Sequence, residues 1–359
     1  MDIGDGKGAA IQHWLVRQRM GSKNNSKRAV ITGITGQDGS YLAELLLAEG
    51  YLVHGIVRRS SRTVRPRLDH LTCDDSVYRQ RLFLHYADLE DLTTLRRLLV
   101  DIQPHEVYHL AGQSHVGVSF EIPESTCDFT AMGTLRLLEV MRDLRPSPRF
   151  LHTSSSEIFG HPTVVPQHEE TPHVPITPYG AAKSFATNMV RIYREAFELF
   201  ACNAICFNHE SPRRGESFVT RKITQSAARI KLGLQTELPL GNIDAQRDWG
   251  YAPDYVRGFF ALLQADAPTD CVFATGTLHR VRDWLEIAFG HLDLDWTEYV
   301  VFDSRFQRKA DPARLVGDAG KARRLLGWQP EKSFEAMVVE MVEHDMAVQR
   351  ELVRSLPGR

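Results

Sequence analysis

A hydroxyl, a carboxylate, a phenol and an ammonium group occur close together in the middle of this chain. The run Ser154-Ser155-Ser156-Glu157 is followed by Tyr179-Gly180-Ala181-Ala182-Lys183. A tyrosine and a lysine four residues apart lie on one face of a helix, and a nearby ammonium group favours the phenolate and so lowers the tyrosine pKa. A phenolate is a general base for an alcohol near neutral pH. The arrangement suits oxidation of a secondary alcohol by a nicotinamide, and Glu157 adds a second base for a further step.

A site for such a cofactor is indicated near the N-terminus. The apolar run Ala29-Val30-Ile31 leads into the spacing G-x-x-G-x-x-G, at Gly33, Gly36 and Gly39, and a helical pattern follows. A second strand pattern, Leu52–Val57, completes a strand, glycine loop, helix and strand in about 30 residues, the context of a dinucleotide site. The glycines allow the backbone to approach a pyrophosphate at the helix N-terminus.

The residues after the second strand distinguish NAD from NADP. An acidic residue at this point would bind the ribose 2′-hydroxyl of NAD. This chain instead has Arg58, Arg59, Ser60, Ser61 and Arg62. Because guanidinium and hydroxyl groups suit a 2′-phosphate, the sequence predicts NADP.

Composition limits the possible partners and location. The chain has 359 residues, a formal net charge of −2 at pH 7 and 43% hydrophobic residues. The balanced charge gives no electrostatic reason to expect nucleic acid or a membrane as a partner, and no apolar run reaches the ~18 residues of a membrane span. The five cysteines form no C-x-x-C pair. We therefore expect a cytoplasmic protein with free thiols, no metal site, and buried Cys202 and Cys206.

Strand and helix patterns alternate over the first two hundred residues. Strands are predicted at Ala29–Thr32, Leu52–Val57, Leu82–Tyr86, Glu106–Leu110, Arg149–Ser154 and Asn203–Phe207. Helices are predicted between them, for example at Leu92–Val100, Gly133–Arg142 and Ala181–Leu199. Such alternation predicts an α/β protein with a Rossmann-type, doubly wound parallel sheet, whose ligands bind at the carboxyl ends of the strands.

Three regions follow from these patterns. Residues 1–27 are expected to form a flexible tail, and residues 28–208 a nucleotide-binding domain to which roughly 245–277 return. Residues 209–244 and 278–350 are expected to form most of a smaller C-terminal substrate-binding lobe. This part is rich in arginine and lysine, and a diphosphate needs bidentate cationic partners. A phosphorylated substrate is therefore predicted.

The chain resembles the GDP-mannose 4,6-dehydratase family of the extended short-chain dehydrogenase/reductase superfamily, from Ala29 to about Met346. The most specific block is N-H-E-S-P-R-R-G-E at Asn208–Glu216. Other matching blocks are Ile31–Leu42, His54–Ser61, Gln113–Val116, Pro178–Lys183, Phe218–Lys222, Gly241-Asn242 and Arg247–Gly250.

The resemblance implies a redox-neutral reaction of several steps. Tyr179, assisted by Lys183, would remove the O4 proton of the sugar while the C4 hydride passes to NADP+, with Ser155 hydrogen bonded to O4. Glu157 would remove the C5 proton and assist loss of the C6 hydroxyl as water, and the hydride would return to C6. The product would be GDP-4-keto-6-deoxymannose. Because positions i and i+2 of an extended strand point to the same side, Ser155 and Glu157 are expected to reach the sugar together.

The resemblance also implies which residues bind the two ligands. Those expected around the cofactor are Gly33, Gly36, Gln37, Asp38, Gly39, Arg58, Asp88, Leu89, Leu110, Ala111, Gln113, Tyr179, Lys183, His209 and Arg214. Those expected around GDP-mannose or a related GDP-sugar are Ser114, Glu157, Asn208, Lys222, Arg247 and Arg305.

Several segments depart from the family pattern. His109-Leu110-Ala111-Gly112-Gln113 stands where relatives usually have Asn-Leu-Ala-Ala-Gln, and Ser184–Asn188 is less aromatic than in relatives. Arg308–Pro312 replaces Arg-Pro-Thr-Glu-Val, which leaves a modified sugar possible. The segment Arg62–Pro66 lacks the Phe-Asn-Thr that reaches a neighbouring subunit in the family. A homo-oligomer is expected, either a dimer or a tetramer.

Other functions stay open from the sequence. A related NADP-dependent enzyme could act on another GDP-sugar as a dehydratase or an epimerase, although an epimerase has no need for Glu157. A nucleotide-sugar decarboxylase can carry a similar Ser-Glu pair, but the Asn208–Glu216 block argues against it. A non-catalytic NADP sensor is disfavoured because such proteins often lose the tyrosine or the lysine, and both are present here.

Overall fold

The computed structural model describes residues 26–59, 65–306 and 314–355. Most of the predicted N-terminal tail, residues 60–62 of the predicted 2′-phosphate site and the divergent segment Arg308–Pro312 lie outside these residues.

A seven-stranded parallel sheet forms the centre of the larger layer, in the order β10-β6-β5-β4-β1-β2-β3. The strands are β1 Arg28–Thr32, β2 Leu52–Val57, β3 Leu82–Tyr86, β4 Glu106–His109, β5 Arg149–Ser155, β6 Ala201–Cys206 and β10 Cys271–Phe273. The chain runs outward from β1 to β3, crosses back to β4 and then runs outward in the other direction. Because the strand order reverses between β1 and β4, a ligand is expected to bind at the carboxyl ends of these two strands.

Helices cover both faces of this sheet, as buried parallel strands require. On one face, Leu42 and Leu46 of α1 pack in the same hydrophobic cluster as Val256 and Phe259 of α8. On the other face, a second cluster joins residues of α3, α5 and α6. The helices named here are α1 Gln37–Ala48, α3 Leu92–Ile102, α5 Gly133–Asp143, α6 Pro178–Ala196 and α8 Ala252–Gln264. Two short helices complete this layer, α2 Asp69–Thr72 and α4 Pro123–Cys127, and a π-helical turn at Asp128–Met132 joins α4 to α5.

A separate hydrophobic cluster lies beside the carboxyl edge of the sheet. Trp249, Trp284 and Met341 are among its buried members. The helices of this cluster are α7 Val219–Lys231, α9 Val281–Gly290 and α11 Phe334–Ser355. Helix α10, Gly320–Leu326, instead packs in the hydrophobic cluster of the seven-stranded sheet. The strands of the separate cluster form two small sheets, from β7 Asn208–Glu210, β9 Gln246–Tyr251 and β11 Leu278–Arg280, and from β8 Leu238–Leu240 and β12 Val300–Phe302.

The predicted fold class is confirmed, with shifts at individual elements. The sixth strand was expected at Asn203–Phe207 and lies at Ala201–Cys206, and the long helix starts at Pro178 rather than Ala181. Strand β10, which pairs with β6 at the edge of the main sheet, was not predicted from the sequence. A strand of three residues is too short to show a periodic pattern, so β10 is recognised by its pairing with β6.

Candidate active site

One cleft collects the predicted site residues. It has a volume of about 950 Å³ and lies along the carboxyl edge of the sheet, between the main layer and the separate cluster. Of the basic loop predicted to bind the 2′-phosphate, Arg58 lines this cleft, Arg59 does not, and residues 60–62 lie outside the described residues. All the other residues predicted for catalysis, cofactor or substrate line it. The structure thus brings them together, and their individual roles stay predictions.

Strand β5 ends inside the cleft and turns sharply at its last residue. Ser155 Oγ accepts a hydrogen bond from the Glu157 backbone N–H at 3.2 Å and caps a 3₁₀ turn, Ser156–Ile158. Glu157 is 7% exposed. The expectation that Ser155 and Glu157 share an extended strand is therefore wrong, because the strand ends at the serine cap, two residues before Glu157. Both side chains nevertheless face the cleft, through the turn rather than through strand alternation.

The start of α6 is held against this turn. Thr177 Oγ1 accepts a hydrogen bond from Gly180 N–H at 2.9 Å and caps the helix, and Pro178 occupies its first turn. A Cβ atom at Gly180 would lie 2.5 Å from the carbonyl oxygen of Glu157. Only glycine permits this approach, which brings the adjacent Tyr179 to the end of β5.

The tyrosine and lysine are both buried in the cleft wall. Lys183 Nζ donates a hydrogen bond to the Thr153 carbonyl oxygen at 2.5 Å, and burial lowers the pKa of Lys183 to about 8. Burial raises the pKa of Tyr179, and its hydrogen bond with Ser155 acts in the opposite direction. The expected lowering of the tyrosine pKa is therefore not found in the protein alone, because loss of solvent outweighs the neighbouring groups.

The glycine loop has the shape of a phosphate cradle. Gly33 has a φ of +75°, and a Cβ atom there would lie 2.8 Å from the backbone nitrogen of Ala111. A Cβ atom at Gly39 would lie 2.3 Å from the Gly33 carbonyl oxygen. The loop thus closes tightly on itself ahead of α1, whose N-terminus faces the cleft, and these residues fit a dinucleotide pyrophosphate.

A charged pair connects the glycine loop to β7. His209 Nε2 lies 2.9 Å from the Asp38 carboxylate, and His209 Nδ1 lies 2.8 Å from the Phe207 carbonyl oxygen. Both ring nitrogens face acceptors, so the histidine is an imidazolium that donates to each. Burial opposes its charge, but the Asp38 carboxylate outweighs burial and raises the pKa of His209. The pair brings the cofactor loop and the Asn208–Glu216 block into one rigid unit.

Cations line the far end of the cleft. Lys222 Nζ lies 3.4 Å from the centre of the Phe306 ring and donates to the Pro239 carbonyl oxygen at 2.6 Å. Arg305 is 83% exposed in its side chain and pairs with Asp303 at 2.6 Å. The spread of positive charge suits an elongated anion such as a nucleoside diphosphate.

Two cleft residues that the sequence analysis did not assign organise Arg214. Its guanidinium group lies 3.6 Å from the centre of the Phe218 ring, and its Nε lies 3.0 Å from Glu210 Oε2. Glu210 is buried and also accepts a hydrogen bond from Thr220 at 2.7 Å. Glu210 lies four residues before Arg214, within the Asn208–Glu216 block, and Phe218 lies four residues after it, just past the block; this spacing was the available signal.

The described residues contain no group of three or more His, Cys, Asp or Glu side chains arranged to hold a metal ion. Cys202 and Cys206 are buried, as expected. Among the helices of the described segments, none combines the length and apolar character needed to cross a membrane.

Comparison with solved structures agrees with this architecture. A structure of RMD from Pseudomonas aeruginosa complexed with NADPH aligns with a TM-score of 0.74 and 25% identity, over 90% of this chain and all of that one. The dTDP-glucose 4,6-dehydratase DesIV from Streptomyces venezuelae, with NAD and TYD bound, shares the fold with a TM-score of 0.78 and 24% identity, over 90% of this chain and 98% of that one.

Comparison of sequences is more specific. GDP-mannose 4,6 dehydratase 2 of Arabidopsis thaliana is 52% identical over 325 residues, which cover 89% of this chain and 87% of that protein. GDP-mannose 4,6-dehydratase of Sinorhizobium fredii is 48% identical, over 90% of this chain and 98% of that protein. The family model described as GDP-mannose 4,6 dehydratase matches residues 30–341. Because this model covers most of the chain and both relatives are about half identical over nearly the whole of it, the chain belongs to the GDP-mannose 4,6-dehydratase family.

Proposed function

We propose that this protein converts GDP-mannose to GDP-4-keto-6-deoxymannose and water. The observation that carries the proposal is the buried Glu157 carboxylate in the same cleft wall as Ser155, Tyr179 and Lys183. Hydride transfer at a secondary alcohol needs Ser155, Tyr179 and Lys183, whereas elimination of water needs an additional base and acid. The choice of GDP-mannose as the substrate rests on the relatives, which are named GDP-mannose 4,6-dehydratases.

The cofactor of this reaction is a nicotinamide dinucleotide, and we propose NADP. When bound, it would accept the hydride from C4 of the sugar and return it to C6. The glycine loop would hold the pyrophosphate. Arg58 is exposed at the end of β2, 5.9 Å from the centre of the Phe129 ring, and no acidic residue takes its place. An Arg58→Asp variant is expected to lose affinity for NADP and keep affinity for NAD, which fluorescence titration with each cofactor measures.

The catalytic residues act in sequence on the sugar. Tyr179 takes the O4 proton, Lys183 stabilises the phenolate, and Ser155 donates a hydrogen bond to O4. Once C4 is a ketone, the C5 proton is acidic, and Glu157 removes it. The same carboxyl group then protonates the departing C6 hydroxyl. Its burial suits both steps, since a carboxyl group shielded from water exchanges one proton with the substrate rather than with solvent.

The far end of the cleft binds the nucleotide. Lys222, Arg247 and Arg305 line this end and would bind the diphosphate, and Asn208 and Ser114 would supply uncharged hydrogen-bonding groups. This assignment places the sugar between the glycine loop and the cationic end, where Glu157 and Tyr179 reach it.

We further propose the division into domains that the sequence indicates, and a cytoplasmic homo-oligomer, a dimer or a tetramer. The α6 helix carries Phe185 and Ile192 at 40% and 50% exposure. These apolar side chains are candidates for a contact between two copies of the chain. Light scattering of the wild type and a Phe185→Ser, Ile192→Ser variant tests this assembly, which predicts a lower mass for the variant.

Proton NMR tests the proposed reaction directly. GDP-mannose is incubated with the purified protein and a trace of NADP+, and a new C6 methyl signal without net accumulation of NADPH is the expected result. Unchanged GDP-mannose, with NADP shown to be bound, would contradict the substrate assignment. Epimerisation without a methyl signal would instead favour a related nucleotide-sugar enzyme.

A further inference from the structure

Three side chains of α6 contact β5 at successive turns of the helix. Tyr179, Lys183 and Thr187 are four residues apart and so lie on one face of α6. The contacts pair Tyr179 with Ser155, Lys183 with the Thr153 carbonyl, and Thr187 with Ser154. The first two pairs contain the groups proposed for chemistry. The third pair lies one turn further along the helix.

The direction of the third contact follows from proton counting. Thr187 Oγ1 donates its single proton to the Lys183 carbonyl oxygen at 2.8 Å. Ser154 Oγ, 2.6 Å from Thr187 Oγ1, must therefore be the donor in their hydrogen bond. Both side chains are buried, with Thr187 at 0% and Ser154 at 4% exposure.

The same residue is anchored from a second strand. Asn203 Nδ2 on β6 donates to the Thr187 carbonyl oxygen at 3.1 Å. Asn203 in turn is held by the buried carboxylate of Asp270, 3.0 Å from the same nitrogen. Thr187 is thus hydrogen bonded to two adjacent strands, to β5 through its side chain and to β6 through its carbonyl oxygen.

We propose that Thr187 and Ser154 are positioning residues, whose hydrogen bond sets the height and rotation of α6 over β5 and thereby places Tyr179 and Lys183. This inference rests on the proposed function, because it assigns a purpose to the placement of those two side chains. The physical basis is the rigidity of the helix. A shift at Thr187 is passed to Lys183 one turn away and to Tyr179 two turns away, and a misplacement of about 1 Å can cost 10²-fold in rate.

Thr187→Val is the main test, since valine keeps the shape and removes the hydroxyl. The variant leaves the Ser154 hydroxyl without its acceptor. We expect turnover of GDP-mannose, measured by the C6 methyl signal, to fall at least about tenfold with little change in KM. Thr187→Ser keeps the hydroxyl and is expected to restore most of the rate. Asn188→Ala, an exposed change on the next residue of α6, is the matched control and should behave as the wild type.

A second readout does not depend on turnover. The pKa of the Lys183 amine can be followed by NMR of protein labelled with ¹³C-lysine, with the signal assigned through Lys183→Arg. Loosening α6 admits water around the amine, so its pKa should rise from about 8 toward its ordinary value in Thr187→Val and stay in place in Thr187→Ser. Normal folding without this response, together with wild-type turnover, would overturn the proposal.

Further outcomes separate this inference from the proposed function. If the wild type does not convert GDP-mannose, the proposed function fails, and the Lys183 titration alone decides about positioning. If Thr187→Val does not fold, Ser154→Ala removes the same hydrogen bond from the strand side and must reproduce the loss. Equal losses in Thr187→Val and Thr187→Ser would show that packing volume, not the hydroxyl, matters, and would contradict the proposal.

Discussion

The two ends of the cleft are built in different ways. At the catalytic end, Tyr179, Lys183 and Glu157 are each less than a tenth exposed and are held by backbone contacts from β5 and α6. At the cationic end, Arg305 is largely exposed and is held by Asp303, two residues before it. The chemical groups are therefore fixed by dense packing between distant segments, whereas Arg305 is held by a partner close in sequence that a ligand can replace.

Glu157→Gln should give the largest effect at the catalytic end. The amide cannot take the C5 proton, so formation of the C6 methyl group should fall by about 10³-fold or more. Cofactor reduction at 340 nm should persist in part, because Tyr179 and Lys183 are intact. Glu170→Gln, an exposed change outside the cleft, serves as the control. Equal loss of cofactor reduction and dehydration would contradict a separate role for Glu157.

Gly180→Ala tests the packing that distinguishes the catalytic end. The added methyl group meets the Glu157 carbonyl oxygen, so either the helix or the turn must move. Turnover should fall by about 10²-fold. The free energy of unfolding, measured by thermal unfolding, should fall by roughly 1–3 kcal/mol. A Cβ atom at Gly290 meets nothing within 4 Å, so Gly290→Ala is the matched control. Wild-type turnover in Gly180→Ala would show that this contact is not required.

The pH dependence of turnover tests the buried Lys183 at the catalytic end. Burial lowers the pKa of Lys183 to about 8, so the amine loses its proton as the pH rises through that value. Only the ammonium form stabilises a phenolate, and the rate should therefore decline above pH 8, approaching tenfold per pH unit. Rates measured from pH 6 to 10 check this, and Lys183→Arg should move the decline upward. A flat profile to pH 10 would exclude Lys183 as the titrating group.

Arg305→Ala should have the smallest effect, because the Arg305 side chain is exposed and solvent already competes for its charge. We expect KM for GDP-mannose to rise by roughly fivefold with kcat nearly unchanged. Arg282 pairs with Asp244 in a similar way and does not line the cleft, so Arg282→Ala is the matched control. A large fall in kcat for Arg305→Ala would show that the two ends are coupled more tightly than their packing indicates.

The sequence by itself predicted the parallel sheet, the glycine loop and the set Ser155, Glu157, Tyr179 and Lys183. These features depend on short-range spacing, and residues at such spacing meet through one helix turn or one strand end. The family block identified Arg214 but not its partners. Glu210 and Phe218 contact the Arg214 side chain, and spacing alone does not specify such contacts.

Only the tertiary structure decided how these pieces act together. It ended β5 at Ser155, so that Glu157 reaches the cleft from a turn. It raised the pKa of Tyr179 through burial, against the expectation from Lys183. It also joined Thr187 to Ser154, residues 33 positions apart in the chain. The first is a local cap that the strand pattern did not indicate. The other two depend on desolvation and on a contact between segments far apart in sequence, and neither is encoded in local spacing.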